Sequence, residues 1–368
     1  MKTLRRLIYR EVFAAVAFVA AGFLALFFFF DFVDELPNLS RGVTSYRLTQ
    51  ALVYVALMVP SHLYELLPIA VLIGTIFVMA RLAQSSEYTI LRTSGLGPGR
   101  ALRSLLLLGL IFTVATFATG DYLAPMADRA GQLLKARLEG RISIGQTGAW
   151  LKERQAWHTY NVNVKALTPE GNMQGVRIIE SDTRGFLVSI TQAPRGRFAR
   201  DDDAWLLEDA ERTEFSTQGP GGAHVERTRM PSFRWPTEIT QEMVSVALLQ
   251  PDRMATIDLF QYMRHLEANN QTSQRYEIEF WRKVFYPLSC LVMVVLALPF
   301  AYLHFRQRGI TTYVFIGVLI GISFFLLNNV FGYIGNLRAW QPWLAAGAPG
   351  LIYTLFSLAA FGWLVLRR

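Results

Sequence analysis

The chain has 368 residues, of which 52% are hydrophobic and 17% are charged, and its formal net charge is +8. The charged fraction lies below the roughly 25% of an ordinary soluble domain, so the composition indicates a membrane protein. The positive charge is not evidence for nucleic-acid binding, because the cytoplasmic loops of membrane proteins collect Lys and Arg. Cys290 is the one cysteine, which excludes an intrachain disulfide.

Six apolar segments approach or exceed the roughly 20 residues that a helical span requires. They cover residues 12–33, 61–81, 104–123, 284–303, 310–332 and 343–366. Pro60 predicts a break between a short interfacial helix and the second span. The first segment exceeds the h-region of a signal peptide and lacks an A-x-A cleavage site, so we expect an uncleaved anchor.

Basic residues in the short loops predict the orientation of the spans. One side holds the larger set, which is Lys2, Arg5, Arg6, Arg10, Arg81, Arg92, Arg100, Arg103, Arg306, Arg308, Arg367 and Arg368. The other side holds Arg41, Arg47 and Arg338. We therefore expect both termini in the cytoplasm and the long segment between the third and fourth spans on the outer side.

That long segment is rich in strand patterns. Residues 157–164 alternate as a half-buried strand does, and turn-forming clusters separate further candidates at 176–180, 185–190, 196–200, 205–215, 225–229 and 232–235. This spacing predicts a sandwich or jellyroll. A helix should follow, capped by Thr256, with Ile257, Phe260, Met263 and Leu266 on its apolar face. The predicted organisation is spans at 1–124, a β-jellyroll domain with flanking helical segments at 125–275, and spans at 276–368.

Motifs for several catalytic classes are missing from the sequence. No lysine follows a glycine, so the phosphate-binding loop of an ATPase is excluded. The histidines are scattered without an H-E-x-x-H pattern, and G-x-S-x-G does not occur. We therefore predict a non-catalytic chain without a metal or cofactor of its own.

The loop between the second and third spans contains a predicted short helix at about 85–95. Ser85 or Ser86 can cap it, Glu87 lies in its first turn, and Gly95 suits its C-terminal end. So short a helix is marginal in water by itself and needs a surface to pack on. That surface is either a cytoplasmic partner or the membrane, and spacing alone favours neither.

Polar residues near the ends of two spans are further candidates. Asp31, Asp34 and Glu35 favour an interfacial position over a polar cavity. Asn328 should face protein or a cavity. Aromatic stripes in the first and fifth spans could line a lipid path, although packing is the more common role of such stripes.

Several short segments, in order and spacing, carry a family resemblance. They are FDFVDEL at 30–36, VP at 59–60 with LP at 67–68, LAQSSE at 82–87 with SG at 94–95, GDYLAP at 120–125, RY at 275–276 with WRKVFYPL at 281–288, and NVFG at 329–332. Together with the order of three spans, β-rich insert and three spans, they resemble the LptF/LptG permeases of the lipopolysaccharide exporter, and within that family the LptG subunits. The resemblance covers nearly the whole chain.

The resemblance implies an ABC transporter of the Gram-negative inner membrane that serves outer-membrane biogenesis. An LptG-like permease pairs with an LptF-like permease above a dimer of the ATPase LptB, which uses ATP and Mg. Lipopolysaccharide leaves the outer leaflet of the inner membrane and passes through the periplasmic jellyroll toward an LptC-like bitopic protein and the outer membrane. The alternative is a membrane-anchored lipid-binding or scaffold protein without a transport role.

The resemblance also assigns roles to individual residues. The coupling helix that contacts the ATPase would include Ser86, Glu87, Tyr88, Leu91, Arg92 and Gly95. The gate and lipid path would include Phe28, Asp31, Phe32, Asp34, Phe324, Phe325 and Asn328. Some LptG chains carry lysines at the outer end of the first span and just after the Val-Pro, where this chain has Asp31, Asp34, Glu35, Pro37, Asn38 and Ser61. Contacts with lipid phosphates are therefore expected from other cations or through divalent metal ions, and the candidate cations are Arg41, Arg47, Arg129, Lys135 and Arg137.

Overall fold

The structure is a computed structural model that describes residues 2–40, 47–85, 97–139, 148–168, 170–199, 204–216, 224–247, 251–302 and 309–366. The chain divides into two compact units. The helical unit comprises residues 1–36, 55–127 and 274–368, and the sheet unit comprises residues 37–54 and 128–273. Each unit is described by itself.

In chain order, the helices of the described residues lie before and after the six strands. They are α1 Lys2–Ser40, α2 Leu48–Gln84, α3 Pro98–Ala118, a π-helix Thr119–Leu123, α4 Ala124–Glu139, α5 Gln241–Ala247, α6 Thr256–Ala268, α7 Gln274–Phe285, α8 Ser289–Ala297, α9 Ile310–Leu337 and α10 Pro342–Leu366. Short 3₁₀ turns lie at Pro251–Arg253, Tyr286–Leu288 and Leu298–Tyr302. Six helical stretches are long and apolar enough to cross a membrane, which, with the inserted sheet, confirms the predicted fold class.

Helix α2 is the centre of the helical unit. In its most apolar window 78% of the residues are buried, against 17% for α1 and 22% each for α9 and α10. The predicted break at Pro60 is wrong, because α2 continues through both Pro60 and Pro68. A membrane helix tolerates proline where neighbouring helices and local adjustments satisfy the freed backbone groups.

The sheet unit contains one six-stranded antiparallel sheet. Its strands are β1 Ala149–Arg154, β2 His158–Leu167, β3 Met173–Asp182, β4 Leu187–Ala199, β5 Ala204–Ser216 and β6 His224–Pro236, and each pairs with its neighbours in chain order. The sequence analysis missed β1. It also split β4 and β6 into two strands each, although Pro194 and Pro231, in the gaps between the predicted strands, lie inside paired strands.

Side-chain contacts bring the first strand of this sheet to the chain that follows the last strand. Glu153 on β1 accepts hydrogen bonds from the hydroxyl of Thr237 and, at 3.0 Å, from the backbone N–H of Glu238. Gln155 donates to the Pro236 carbonyl at 3.4 Å. The sheet therefore curls until its two ends meet, which is the jellyroll-like arrangement expected from the strand spacing.

Helices α5 and α6 accompany the sheet, and the predicted face of α6 is corrected. Its N-cap is Ala255, without a side-chain cap, so Thr256 begins the helix instead of capping it. The buried face is formed by Leu259, Tyr262 and Leu266. Ile257 and Phe260 are 58% and 44% exposed, because the apolar residues of α6 occupy two faces and the face with Leu259 and Tyr262 is the buried one.

Candidate functional site: polar contacts among the spans

Helices α1 and α2 are joined by a polar pair. The Asp31 carboxylate lies 2.7 Å from Nε2 of His62, and the two side chains are 19% and 18% exposed. The Phe27 ring lies 4.9 Å from the imidazole, measured between centroids. Asp31 thus faces α2, and the following acid, Asp34, is exposed. The interfacial position expected for both acids stays a prediction.

A lysine is buried where α3 passes into the π-helix. Lys283 on α7 is 6% exposed, and its ammonium donates to the Gly120 carbonyl at 3.0 Å. A π-helix shifts the hydrogen-bond ladder by one residue, and such bulges are frequent at functional sites. The ammonium is also 6.0 Å from the centre of the Tyr64 ring. Lys283 therefore ties the π-helix that follows α3 to α7.

Arg282, the preceding residue, links α7 to α9. Its guanidinium donates to the Asn328 carbonyl at 2.9 Å and pairs with Glu279 at 3.0 Å. Asn328 is 9% exposed and donates from its amide to the Phe324 carbonyl at 3.1 Å. The predicted placement of Asn328 against protein agrees with this geometry.

We call Asp31, His62, Arg282, Lys283 and Asn328 the polar layer. All five belong to the helical unit, and their contacts join α1 to α2, the π-helix to α7, and α7 to α9. Glu11 and Arg81 form a second contact between α1 and α2, nearer the N-terminus of α1, at 2.6 Å. Ionisable groups inside a membrane protein are costly unless paired, so they mark either fixed joints or sites of action.

The aromatic candidates fall into two groups. Phe28 and Phe32 are half-buried on α1, and Phe325 is 37% exposed on α9. Phe324 is 1% exposed, with its ring 5.1 Å from Tyr353 and 6.3 Å from Tyr286. Phe324 thus packs in the core of the helical unit, and its place on the lipid path stays a prediction.

The candidate phosphate contacts belong to the sheet unit or lie outside the described residues. Arg129 forms an ion pair with Asp258, and the Lys135 ammonium lies 4.9 Å from the centre of the Tyr54 ring. Arg47 is exposed. Arg41 lies outside the described residues, and for Arg137 only the backbone, within α4, is described.

The predicted coupling residues Ser86, Glu87, Tyr88, Leu91, Arg92 and Gly95 all lie outside the described residues. Their roles remain predictions. Sequence reasoning also missed three members of the polar layer, His62, Arg282 and Lys283. A histidine two residues after Pro60 and an Arg-Lys pair at the start of a span were the available signals.

A buried carboxylate organises one end of the sheet. Glu180 on β3 accepts hydrogen bonds from Ser189 at 2.6 Å, Arg212 at 3.1 Å and Tyr160 at 3.2 Å. Burial and the neighbouring Glu180 raise the pKa of Tyr160 to about 12, so its hydroxyl stays protonated and donates. Within the described ranges no cluster of His, Cys, Asp or Glu could hold a metal ion.

His265 on α6 makes the sheet unit sensitive to acid. Burial lowers its pKa from the ordinary value of 6.5, since no described group bonds to its buried Nε2. The unfolded chain then binds the proton more tightly, so the folded sheet unit should be most stable above pH 6.5 and lose stability as the pH falls below it.

We expect His265→Gln to flatten this dependence of stability on pH. Hydrogen exchange of α6 at about pH 7.5 and about pH 5.5 checks it, and equal pH dependence in both proteins would contradict it.

Six membrane-length helices interrupted by a curled antiparallel sheet define a polytopic membrane protein with an inserted β domain. The comparisons with known proteins specify the family. The family model for the lipopolysaccharide export system permease LptF/LptG matches residues 6–366, and the chain belongs to this family.

Curated relatives match over nearly their full length. The chain is 25% identical over 367 residues to the lipopolysaccharide export system permease protein LptG of Escherichia coli strain K12, which covers 99% of this chain and 98% of that protein. It is 22% identical over 370 residues to the LptG protein of Haemophilus influenzae, with 100% and 99% covered. The chain is therefore a permease of the bacterial inner membrane, a transport protein rather than a catalytic enzyme.

Proposed function

We propose that this chain is the LptG-type permease of an ABC transporter that moves lipopolysaccharide out of the inner membrane, powered by ATP hydrolysis in a separate subunit. The observation that carries the proposal is the match of the whole chain, spans and inserted sheet together, to the lipopolysaccharide export permeases. The curled sheet supplies a soluble segment for the exit path, and the spans supply one wall of the path within the membrane.

The uneven burial of the spans supports a second permease subunit. Few residues are fully buried in the apolar windows of α1, α9 and α10, at 17%, 22% and 22%, whereas 78% are buried in that of α2. Exposed apolar residues such as Phe18, Phe315 and Leu355 lie on these helices, at 81%, 60% and 67% exposure. Such surfaces suit lipid or the helices of another subunit, and an LptF-like partner would cover part of them.

The driving ATPase should dock on residues 85–95. If this segment is the coupling helix, Glu87→Ala should leave the chain folded and reduce ATP-driven release of lipopolysaccharide from proteoliposomes by roughly tenfold, through loss of a charged interface contact. Glu87→Asp, which keeps the carboxylate, should retain most of the release. Release that is unaltered in Glu87→Ala would remove this helix from the coupling path.

Co-purification separates the transporter from the scaffold alternative. If the chain is part of an exporter, an ATPase chain, a second permease and an LptC-like protein should co-purify with it in detergent. Lipid release should then depend on ATP. A scaffold or passive lipid-binding protein would bind lipopolysaccharide equally with and without ATP. The predicted topology, with cytoplasmic termini and a periplasmic sheet unit, is tested by protease access to the sheet in spheroplasts.

Charge reversal tests the proposed phosphate contacts. Lys135→Glu should reduce lipopolysaccharide-stimulated ATPase activity about tenfold, because a charge-assisted contact becomes a repulsion. Arg129→Glu also breaks the ion pair with Asp258, so Asp258→Asn is its control for structure alone. If reversal at Arg129, Lys135 and Arg137 together leaves stimulation and export intact, these cations do not contact the lipid.

A further inference from the structure

Two polar side chains near the start of α1 contact different helices of the helical unit. The Tyr9 hydroxyl donates to the Ser104 carbonyl of α3 at 2.7 Å. Two residues further on, the Glu11 carboxylate pairs with the Arg81 guanidinium of α2 at 2.6 Å. Arg10, which lies between them in sequence, is exposed. Polar contacts therefore tie the start of α1 to both α2 and α3.

These contacts lie on either side of residues 85–95, the predicted coupling segment. Arg81 belongs to the last turn of α2, and its carbonyl accepts a hydrogen bond from the backbone N–H of Ser85 at 3.0 Å. Ser104 lies in the second turn of α3, which begins at Pro98. Helix α1 therefore contacts the helix that enters the coupling segment and the helix that leaves it, close to both ends.

Apolar packing joins the same three helix ends. The side chains that provide it are at most 8% exposed and belong to one core cluster, and they are Ile8, Val12, Leu82, Ala101 and Leu105. Burial of apolar surface is non-directional, whereas a hydrogen bond requires a defined distance and angle. The apolar cluster therefore brings the helix ends together, and the polar contacts select one arrangement of them.

The surroundings of Glu11 restrict that arrangement further. Its Oε1 makes the contact with Arg81, while its Oε2 is buried and has no hydrogen-bond partner among the described groups. A partly buried carboxylate is costly when its cation is removed, so an arrangement that separates Arg81 from Glu11 is disfavoured. The Arg81 side chain is 46% exposed, so water screens the pair in part and its effect is modest.

We propose that Tyr9 and Glu11 are positioning residues for the ATPase, because they hold the end of α2 and the start of α3 at the spacing in which the coupling segment binds it. This inference rests on the proposed function. A partner that binds one arrangement of the two helix ends binds more weakly in proportion to the loss of that arrangement. Loss of one polar contact should therefore raise the Kd of the ATPase by no more than the roughly two- to tenfold contribution of a net hydrogen bond.

Titration of the ATPase chain onto the permease complex in nanodiscs tests the positioning role. Tyr9→Phe removes one hydroxyl and keeps the ring, and Glu11→Gln removes one charge and keeps the shape of the side chain. Each should raise the Kd about threefold, and the two together about tenfold. Arg10→Gln is the matched control, because Arg10 is exposed and lies between the two residues. A rise in Kd as large in Arg10→Gln as in Glu11→Gln would show an effect of charge alone and overturn the role of Glu11.

Release of lipopolysaccharide at rising ATPase concentration separates positioning from structural damage. Binding of the ATPase selects the competent arrangement, so the double variant should reach the wild-type maximum rate. Half-maximal release should need about tenfold more ATPase. The swapped pair Glu11→Arg with Arg81→Glu should return the Kd toward wild type. An unchanged Kd in the double variant overturns the proposal, as does a maximum rate that stays low at saturating ATPase. If the double variant unfolds, the two single variants decide by the same criteria.

The spacing of the helix ends is measured in the same complex before the ATPase is added. Spin labels at Gln84→Cys and Gly99→Cys, both at exposed positions, report the separation of α2 from α3 by electron resonance. The native Cys290 is buried, which keeps the labelling selective. The double variant should broaden the distance distribution, and an unchanged distribution overturns the positioning role. If the wild-type complex binds no ATPase, the proposed function fails and the docking role fails with it, whereas the label distances still decide whether Tyr9 and Glu11 hold the two helix ends.

Discussion

Gly120→Ala should destabilise the helical unit. An added Cβ at Gly120 would overlap the Tyr64 ring, well within van der Waals contact. Tyr64 cannot easily retreat, because its ring also lies 5.1 Å from the Tyr286 ring, measured between centroids. Overpacking of this kind costs about 1–3 kcal/mol. The midpoint of thermal unfolding in detergent should fall by several degrees.

The same substitution elsewhere supplies the control. Gly350 lies in α10, and a Cβ added there would meet no neighbouring atom within 4 Å, so Gly350→Ala should be neutral or slightly stabilising through helix propensity. Tyr64→Leu should recover part of the loss in the Gly120→Ala background by making room. If both alanine variants unfold at the same temperature, the packing of α3 against α2 is looser than the structure indicates.

A functional consequence should accompany the loss of stability. The Gly120 carbonyl is the acceptor for Lys283, so displacement of the π-helix also disturbs the joint between α3 and α7. Along the chain, α3 leads into the sheet unit and α7 leads out of it. Release of lipopolysaccharide should therefore fall further than the remaining folded fraction alone predicts.

Much of the architecture could be predicted from sequence because its signals are local. Apolar length and strand alternation identified the six spans and the sheet. The predicted strand ends near Pro194 and Pro231 were wrong, because β4 and β6 continue through these prolines. The predicted buried face of α6 was wrong because the helix has two apolar stripes. The residues that pack against one of them are distant in sequence, so the sequence of α6 does not show which stripe is buried.

The polar layer could not be predicted in the same way. His62 was one of five scattered histidines, and nothing local shows that it meets Asp31. The partner of Lys283 is a backbone carbonyl in a π-helix that leaves no signature in composition. Charge alone marked Arg129 as a lipid contact, whereas the structure pairs it with Asp258. Tertiary pairing decides the role of a charged residue, and single-sequence patterns do not contain it.

Glu153 makes several of the hydrogen bonds that close the curl of the sheet, and Glu153→Leu should loosen it. Glu153 is 3% exposed and accepts hydrogen bonds from Thr237, the Glu238 backbone and, at 3.1 Å, Gln155. Leucine would leave buried donors without an acceptor, a loss of roughly 2–4 kcal/mol. The chain after β6 would detach from β1, and proteolysis of the intact protein should cut near residues 236–240 at least about tenfold faster.

Two further variants separate the curl from general damage. Glu153→Gln keeps one acceptor oxygen and the shape of the side chain, so it should lose less than Glu153→Leu. Glu226→Gln changes an exposed acid on β6 and should leave the cleavage pattern unaltered. If the curled sheet is the exit segment, Glu153→Leu should retain ATP hydrolysis, because the spans are unchanged. Lipid transfer should fall, because the sheet that receives the lipid is no longer closed. If ATP hydrolysis and lipid transfer fall equally, Glu153 is needed for assembly of the complex. The sheet would then stabilise the complex, and its role would not be specific to passage of the lipid.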